Sequence, residues 1–207
     1  EAGNQPMKSK EGRYIISFNG EIYNHNELRF LIKQNRDYYP WLGHSDTETL
    51  LAGFDAWGIQ RTLEQAIGMF AFAVWDRQSN TLSLARDRLG EKPLYYGWMN
   101  GVFLFGSELK ALRAHPLWKG EIDRGALSLY LRHNYIPAPY SIYKGIYKLR
   151  PGCLLTVSIK KSEPDIVTYW SGAKAAVDGV ANIFTGSTSQ AVNDLEVLLK
   201  DAVRQQM

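Results

Sequence analysis

The stretch FNGEIYNH, Phe18 to His25, decides how the chain is read, because its Asn19-Gly20 pair fits two incompatible structures. Upstream, Tyr14-Ile15-Ile16-Ser17-Phe18 is short, β-branched and aromatic, the composition of a strand buried on at least one face. Downstream, Asn24 precedes Glu27 at a capping-box spacing, and Leu28, Leu31 and Ile32 then share one helical face. Between these elements, Asn-Gly is the strongest short-range signal for a type I′ hairpin turn. The same pair also suits an oxyanion site, a side-chain amide beside a backbone N–H that a missing Cβ lets a ligand approach. The residues alone leave both readings open.

Working outward, the tract from Tyr38 to Gly58 holds Ser45 or Asp46 as a helix cap and Glu48 completing a Ser-x-x-Glu box. Leu50, Leu51, Phe54 and Trp57 form its apolar stripe, and Gly58 is placed to end it. GMFAFAVWD and LSLARD read as a strand pair, and KPLYYGWMNGVFLFGS as a hairpin whose turn is Asn100-Gly101. Ser107 and Glu108 open a short helix, and Asp123 caps another. From Ile136 to DIVTYW the Pro- and Tyr-rich composition predicts loops and two or three short strands. Residues 171–189 are rich in Gly, Ala and Ser and read as a linker. Residues 190–207 carry Val192, Leu195, Leu198, Leu199, Ala202 and Val203 on one helical stripe. Hairpins outnumber βαβ units, so the expected class is α+β, a layered antiparallel sheet with helices packed on it.

The 207 residues, 45% of them hydrophobic, suffice for a buried core in one large domain. The 24 basic and 21 acidic residues are scattered, with Lys160-Lys161 the only local pair of note, which is no nucleic-acid footprint. No apolar run approaches the ~20 residues of a membrane helix. The single cysteine forbids an intrachain disulfide and fits a cytoplasmic location. Cys153 follows a Pro-Gly turn on an apolar strand and reads as structural. His25, His44, His115 and His133 are isolated, so no metal site is expected. The cluster Arg86, Asp87, Arg88, Glu91 and Lys92 reads as a salt-bridged turn between strands, the alternative being an interdomain or tunnel-facing role. Asp46 suits a helix N-terminus simply as a cap. Glu21 is odder, because a half-buried strand end offers a carboxylate few partners unless a cationic ligand supplies one. Together the two carboxylates could hold an ammonium group.

Four stretches in this order and spacing carry a resemblance: FNGEIYNHNELR, HSDTETLLAGFDAWG, IGMFAFAVWDRQSNTLSLARDRLGEKPLYYG and FLFGSELKAL. They resemble the glutamine amidotransferase domain of glutamine-hydrolysing asparagine synthetases, a class II, N-terminal-nucleophile domain. The resemblance implies a four-layer sandwich, two stacked antiparallel sheets between helical layers, over residues 1–170. A linker at 171–189 and the first helix of a synthetase domain at 190–207 would follow. It implies hydrolysis of glutamine to glutamate and ammonia, which an ATP- and Mg²⁺-dependent synthetase domain in cis uses to amidate aspartate. Carried over by motif, Asn19 and Gly20 would form the oxyanion hole, and Glu21 and Asp46 would bind the substrate amino group. The partners so implied are glutamine, the synthetase domain and a second copy in a homodimer, with no nucleic acid or membrane. No cofactor is expected in this stretch.

Two features depart from the family. Its nucleophile is an N-terminal cysteine, followed by an arginine motif for the substrate carboxylate, and neither stands before Glu1. The family's ATP-gripping Ser-Gly-Gly-x-Asp-Ser loop does not follow the last helix. The sequence therefore reads as a fragment incomplete at the N-terminus, itself inactive, with exposed sheet edges. Other readings are an amidotransferase for another carboxylate acceptor, such as a sugar acid, or a non-catalytic scaffold that kept the pocket.

Overall fold

The computed structural model describes residues 3–35, 39–158 and 161–206; Glu1, Lys160 and the last residue of the 190–207 tract lie outside them. The central question is settled by strand β2, Tyr14–Ile22, which runs straight through Asn19-Gly20. Its side chains alternate: Tyr14, Ile16, Phe18 and Ile22 are buried, while Ser17, Asn19 and Glu21 are exposed. It pairs antiparallel with β3, Gly68–Asp76, in unbroken register from Tyr14↔Asp76 to Ile22↔Gly68. The hairpin alternative therefore fails here. At Asn100-Gly101, by contrast, φ values of 49° and 80° turn β5 (Tyr95–Met99) into β6 (Val102–Gly106), as the same dipeptide predicts.

A six-stranded sheet has the order β1-β2-β3-β4-β8-β9. It adds β1 (Met7–Lys8), β4 (Thr81–Arg86), β8 (Cys153–Ser158) and β9 (Lys161–Thr168) to β2 and β3. A three-stranded sheet has the order β6-β5-β7, with β7 at Ile146–Lys148. Among the described residues all strand pairings are antiparallel. Because side chains alternate across a strand, β3 serves two cores. Phe70, Phe72 and Val74 face helices α1 (His25–Asn35), α2 (Asp46–Trp57) and α3 (Ile59–Gln65), meeting Leu28, Leu50, Leu51, Phe54 and Leu63. Ala71 and Ala73 face the other way, joining Leu84, Leu155, Val157 and Tyr96 of the second sheet. The far side of the small sheet packs Met99 and Ile146 on Leu112 of the short helix α4, Leu109–Arg113. The order is helices, sheet, sheet, helix, the α+β layering expected.

Several local expectations changed partners. Asn24 does not cap α1 through its side chain; its amide donates to Gln65 O and accepts from Ile67 N, tying the helix start to the turn before β3. Ser45 does cap α2, accepting from Thr47 N, but Glu48 does not close the box. Its carboxylate instead accepts from Leu42 N and Gly43 N and meets Arg29. Gly58 and Asp123 cap as expected, Asp123 at the start of α5 (Arg124–His133). The tract 171–189 is not featureless, since Ser171 caps a helix α6, Gly172–Ala181, whose Ala-rich core of sequence favours that state. The last helix, α7, spans Thr188–Gln205 with Ser187 as its cap. Neither α6 nor α7 buries a residue. No helix among the described residues is long and apolar enough to cross a membrane.

Candidate active site

The open edge of β2 is where the candidate residues gather. Phe70 donates its N–H to Asp87 Oδ2 and accepts from Asp87 N, so both its backbone groups face away from β2. Its cross-strand partner is Gly20, a non-hydrogen-bonded pair, which directs the Gly20 N–H to the opposite, outer edge. There β1 reaches only Ile15 and Ile16. Of the next outward N–H groups, Phe18 donates to Gln5 Oε1 at 2.6 Å and Ile22 to Asp46 Oδ2 at 2.9 Å. Between them, Gly20 N–H has no partner among the described residues. Only glycine fits there: φ is 153°, and a Cβ would sit 2.1 Å from Met69 O.

The neighbouring side chains are set from three directions. Asn19 lies opposite Ala71, on the face turned to the second sheet, and its Nδ2 donates to Ser107 Oγ at 3.2 Å. Glu21 shares that face and is exposed, and its carboxylate makes no hydrogen bond or ion pair among the described residues. Asp46 opens α2; its Oδ1 accepts from Thr47 N at 2.7 Å, while Oδ2 on Ile22 N–H fixes it beside the backbone that follows Glu21. The preceding loop is clamped by Arg29, half-buried, which donates to Gly43 O, Ser45 O and Thr49 Oγ1 and stacks on Trp41. Burial, then the carboxylates of Glu91 and Glu21, raise the Tyr23 phenol above its ordinary range. A free N–H and an amide suit developing negative charge; two carboxylates close by suit a cation.

Behind this edge the Arg86–Lys92 loop is built differently from the salt-bridged turn expected. The fully buried Asp87 carboxylate accepts from five backbone N–H groups, those of Phe70, Leu89, Gly90, Glu91 and Lys92. Arg86 donates to Gly90 O, Lys92 O and Leu149 O, and burial lowers its pKa. Charge is here satisfied by backbone dipoles rather than by opposite charge. Arg88, Leu89 and Glu91 line a cavity of about 260 Å³ whose far wall is the end of α7. Cys153 is buried in the inter-sheet core, its Sγ near Thr168 Oγ1, a structural residue as read.

A glutamine amidotransferase domain family matches residues 1–170. The chain belongs to this family. Asparagine synthetase [glutamine-hydrolyzing] 3 of Bacillus subtilis (strain 168) is 38% identical over 210 residues, covering 100% of this chain and 32% of that protein. A putative asparagine synthetase [glutamine-hydrolyzing] of Mycobacterium tuberculosis (strain ATCC 25618 / H37Rv) is 34% identical over 199 residues, covering 94% and 29%. The chain thus spans about a third of the length of the curated relatives it matches. Among solved structures, the glutamine phosphoribosylpyrophosphate amidotransferase from B. subtilis, complexed with ADP and GMP, superimposes with a TM-score of 0.55 at 18% identity, covering 80% of this chain and 31% of that one. That likeness establishes the amidotransferase fold, two antiparallel sheets with flanking helices.

Of the four residues singled out in the sequence, the amidotransferase fold brings Asn19, Gly20 and Glu21 to one strand edge and joins Asp46 to it through Ile22 N–H. Ser107, which meets Asn19, and the Arg29–Glu48 clamp behind Asp46 were not among the residues singled out. Ser107 stands 88 positions from Asn19, and nothing local to either residue signals the contact.

Proposed function

We propose that this chain is the glutamine-hydrolysing part of an asparagine synthetase, delivering ammonia to a synthetase part in cis that amidates aspartate. Family membership and the named relatives support the reaction class. The observation that carries the residue assignments is the unpartnered Gly20 N–H at the β2 edge, next to the Asn19 amide. On this reading the two donors receive the oxygen of the glutamine side-chain amide as it becomes an oxyanion. Glu21 and the Asp46 carboxylate receive the α-ammonium, Asp46 using lone pairs left over from its two backbone bonds. Glu21, without a partner of its own, gains one when glutamine binds. The thiolate that attacks the amide in this family is not supplied by Cys153, which is buried away from the edge. ATP and Mg²⁺ belong to the synthetase part, and no residue of this chain is assigned to them.

The test is a comparison of nitrogen sources in the full-length protein that carries this chain. Asn19→Ala should lower glutamine-dependent turnover by ~10²–10³, the cost of one oxyanion donor, and leave ammonia-dependent asparagine formation intact. A parallel fall in both activities would make Asn19 a folding residue and overturn the assignment.

A further inference from the structure

We infer that Ser107 is a positioning residue of the glutamine site, its hydroxyl holding the Asn19 amide from across the cleft between the two sheets; this rests on the reading of Asn19 as an oxyanion donor. The two donors of that site differ in kind. Gly20 N–H is fixed by the strand ladder, whereas the Asn19 amide stands at the end of an exposed side chain with two free torsions. An oxyanion donor acts by being in place before charge develops, so the amide needs a tether. Its one hydrogen bond among the described residues is Nδ2 to Ser107 Oγ, 3.2 Å. One amide hydrogen is used there, and the second is left for a ligand.

Ser107 is well placed to be that anchor. It follows β6 in the small sheet, where Gly106 pairs with Tyr95 and backs onto Leu112, so close that a Cβ at Gly106 would lie 2.8 Å from Leu112 Cδ1. The serine is thus held by the ladder on one side and the outer core on the other. Its hydroxyl is not spent on the helix that follows: Glu108, not Ser107, is the N-cap of α4, and no side-chain cap bond is made there. The site would then be assembled from both sheets of the sandwich, and slippage between the sheets would misplace the amide without disturbing Gly20, Glu21 or Asp46.

The experiment is a mutant cycle in the full-length protein, reading kcat and KM for glutamine, the ammonia-dependent rate and the melting temperature. Ser107→Ala should lower glutamine-dependent kcat about five- to tenfold, the worth of one ordinary hydrogen bond, with KM, the ammonia-dependent rate and Tm unchanged. Ser107→Thr, which keeps the hydroxyl, should recover most of the loss. In an Asn19→Ala background, Ser107→Ala should cost nothing further. The inference is overturned if Ser107→Ala is silent in the wild-type background, if its cost persists in full without Asn19, or if the two nitrogen sources suffer equally. Failure of the parent reading looks different: Asn19→Ala itself would then either leave glutamine turnover untouched or lower the glutamine- and ammonia-dependent rates together.

Discussion

At the scale of single residues, the chain holds two Asn-Gly pairs with opposite fates, and the difference lies in what each meets. Asn100-Gly101 is flanked by strands that pair with each other, so the turn closes. Asn19-Gly20 is flanked by a strand whose partner, β3, lies 46 or more residues downstream, and the ladder forces it straight. Local propensity is the same at both sites, so only a long-range pairing could decide between them. The oxyanion alternative was legible in the residue types, but the outward Gly20 N–H was not, because it depends on the β2–β3 register that makes Gly20 and Phe70 a non-hydrogen-bonded pair. Asp46 poses a sharper test, being both a first-turn helix residue and a candidate ligand for the substrate ammonium. Asp46→Asn keeps an acceptor oxygen while removing the charge. It should raise KM for glutamine with little change in kcat, and lower Tm modestly, because the new NH2 faces one of the two backbone N–H groups that the carboxylate accepts. A lowered Tm with unchanged KM would return Asp46 to a purely structural role. Gly20→Ala should instead prevent folding outright, since its Cβ would collide with Met69 O at 2.1 Å; soluble, cooperatively unfolding protein would contradict this.

At the scale of elements, carboxylates hold strands and loops together in ways the sequence does not announce. Arg13 forks onto Asp76 with bonds of 3.0 and 2.7 Å, fastening the start of β2 to the end of β3. The guanidinium, helped by the N–H of Gln78, holds the nearly buried Asp76 carboxyl at about 2, well below the usual carboxylate range. A lowered folded-state value means stabilisation present above the unfolded value near 4 and lost as pH falls toward 2. The contribution is roughly 2 kcal/mol. Asp76→Asn should therefore lower Tm at pH 7 and shrink the gap to wild type between about pH 4 and pH 2; a gap independent of pH would refute the ion-pair account. Asp87 is a stronger case. Asp87→Ala would take the side-chain acceptor from five backbone N–H groups, Gly90 N keeping a longer bond to the backbone oxygen of residue 87, and each group left unpaired in this buried site costs on the order of 1 kcal/mol or more. Loss of a cooperative thermal transition is the expected outcome, and a Tm within a few degrees of wild type would show that the loop is organised by something else. The helix caps illustrate the limit of motif reading: Ser45 and Asp123 act as their local sequence predicts, while Asn24 and Glu48 bind segments that only the fold brings to them.

At the scale of the whole molecule, the layered architecture was legible because alternation and hairpin signals are dense between Tyr14 and Ser158, whereas the tract beyond Trp170 carries no such pattern and its helix α6 went unread. The energetics divide at the same place. The cores that join sheets and helices draw on residues from Met7 to Tyr169, and Tyr169 itself is anchored, its phenol donating to Arg86 O at 2.7 Å. Burial raises that phenol well above its ordinary range, so it stays protonated and a donor at neutral pH. Beyond it, α6 and α7 bury nothing, and Val192, Leu195, Leu198 and Leu199 of α7 are all more than half exposed. Helices without a buried face add little to global stability, since tertiary packing rather than propensity supplies most of it. Shortening the chain to end at Ser171 should thus leave the main unfolding transition within a few degrees of its original temperature, while far-UV circular dichroism loses the signal of two helices. The two readouts separate the possibilities. A large drop in Tm would mean that the cavity between the end of α7 and the loop bearing Arg88, Leu89 and Glu91 closes into a stabilising contact, making α7 part of the amidotransferase unit rather than a neighbour of it.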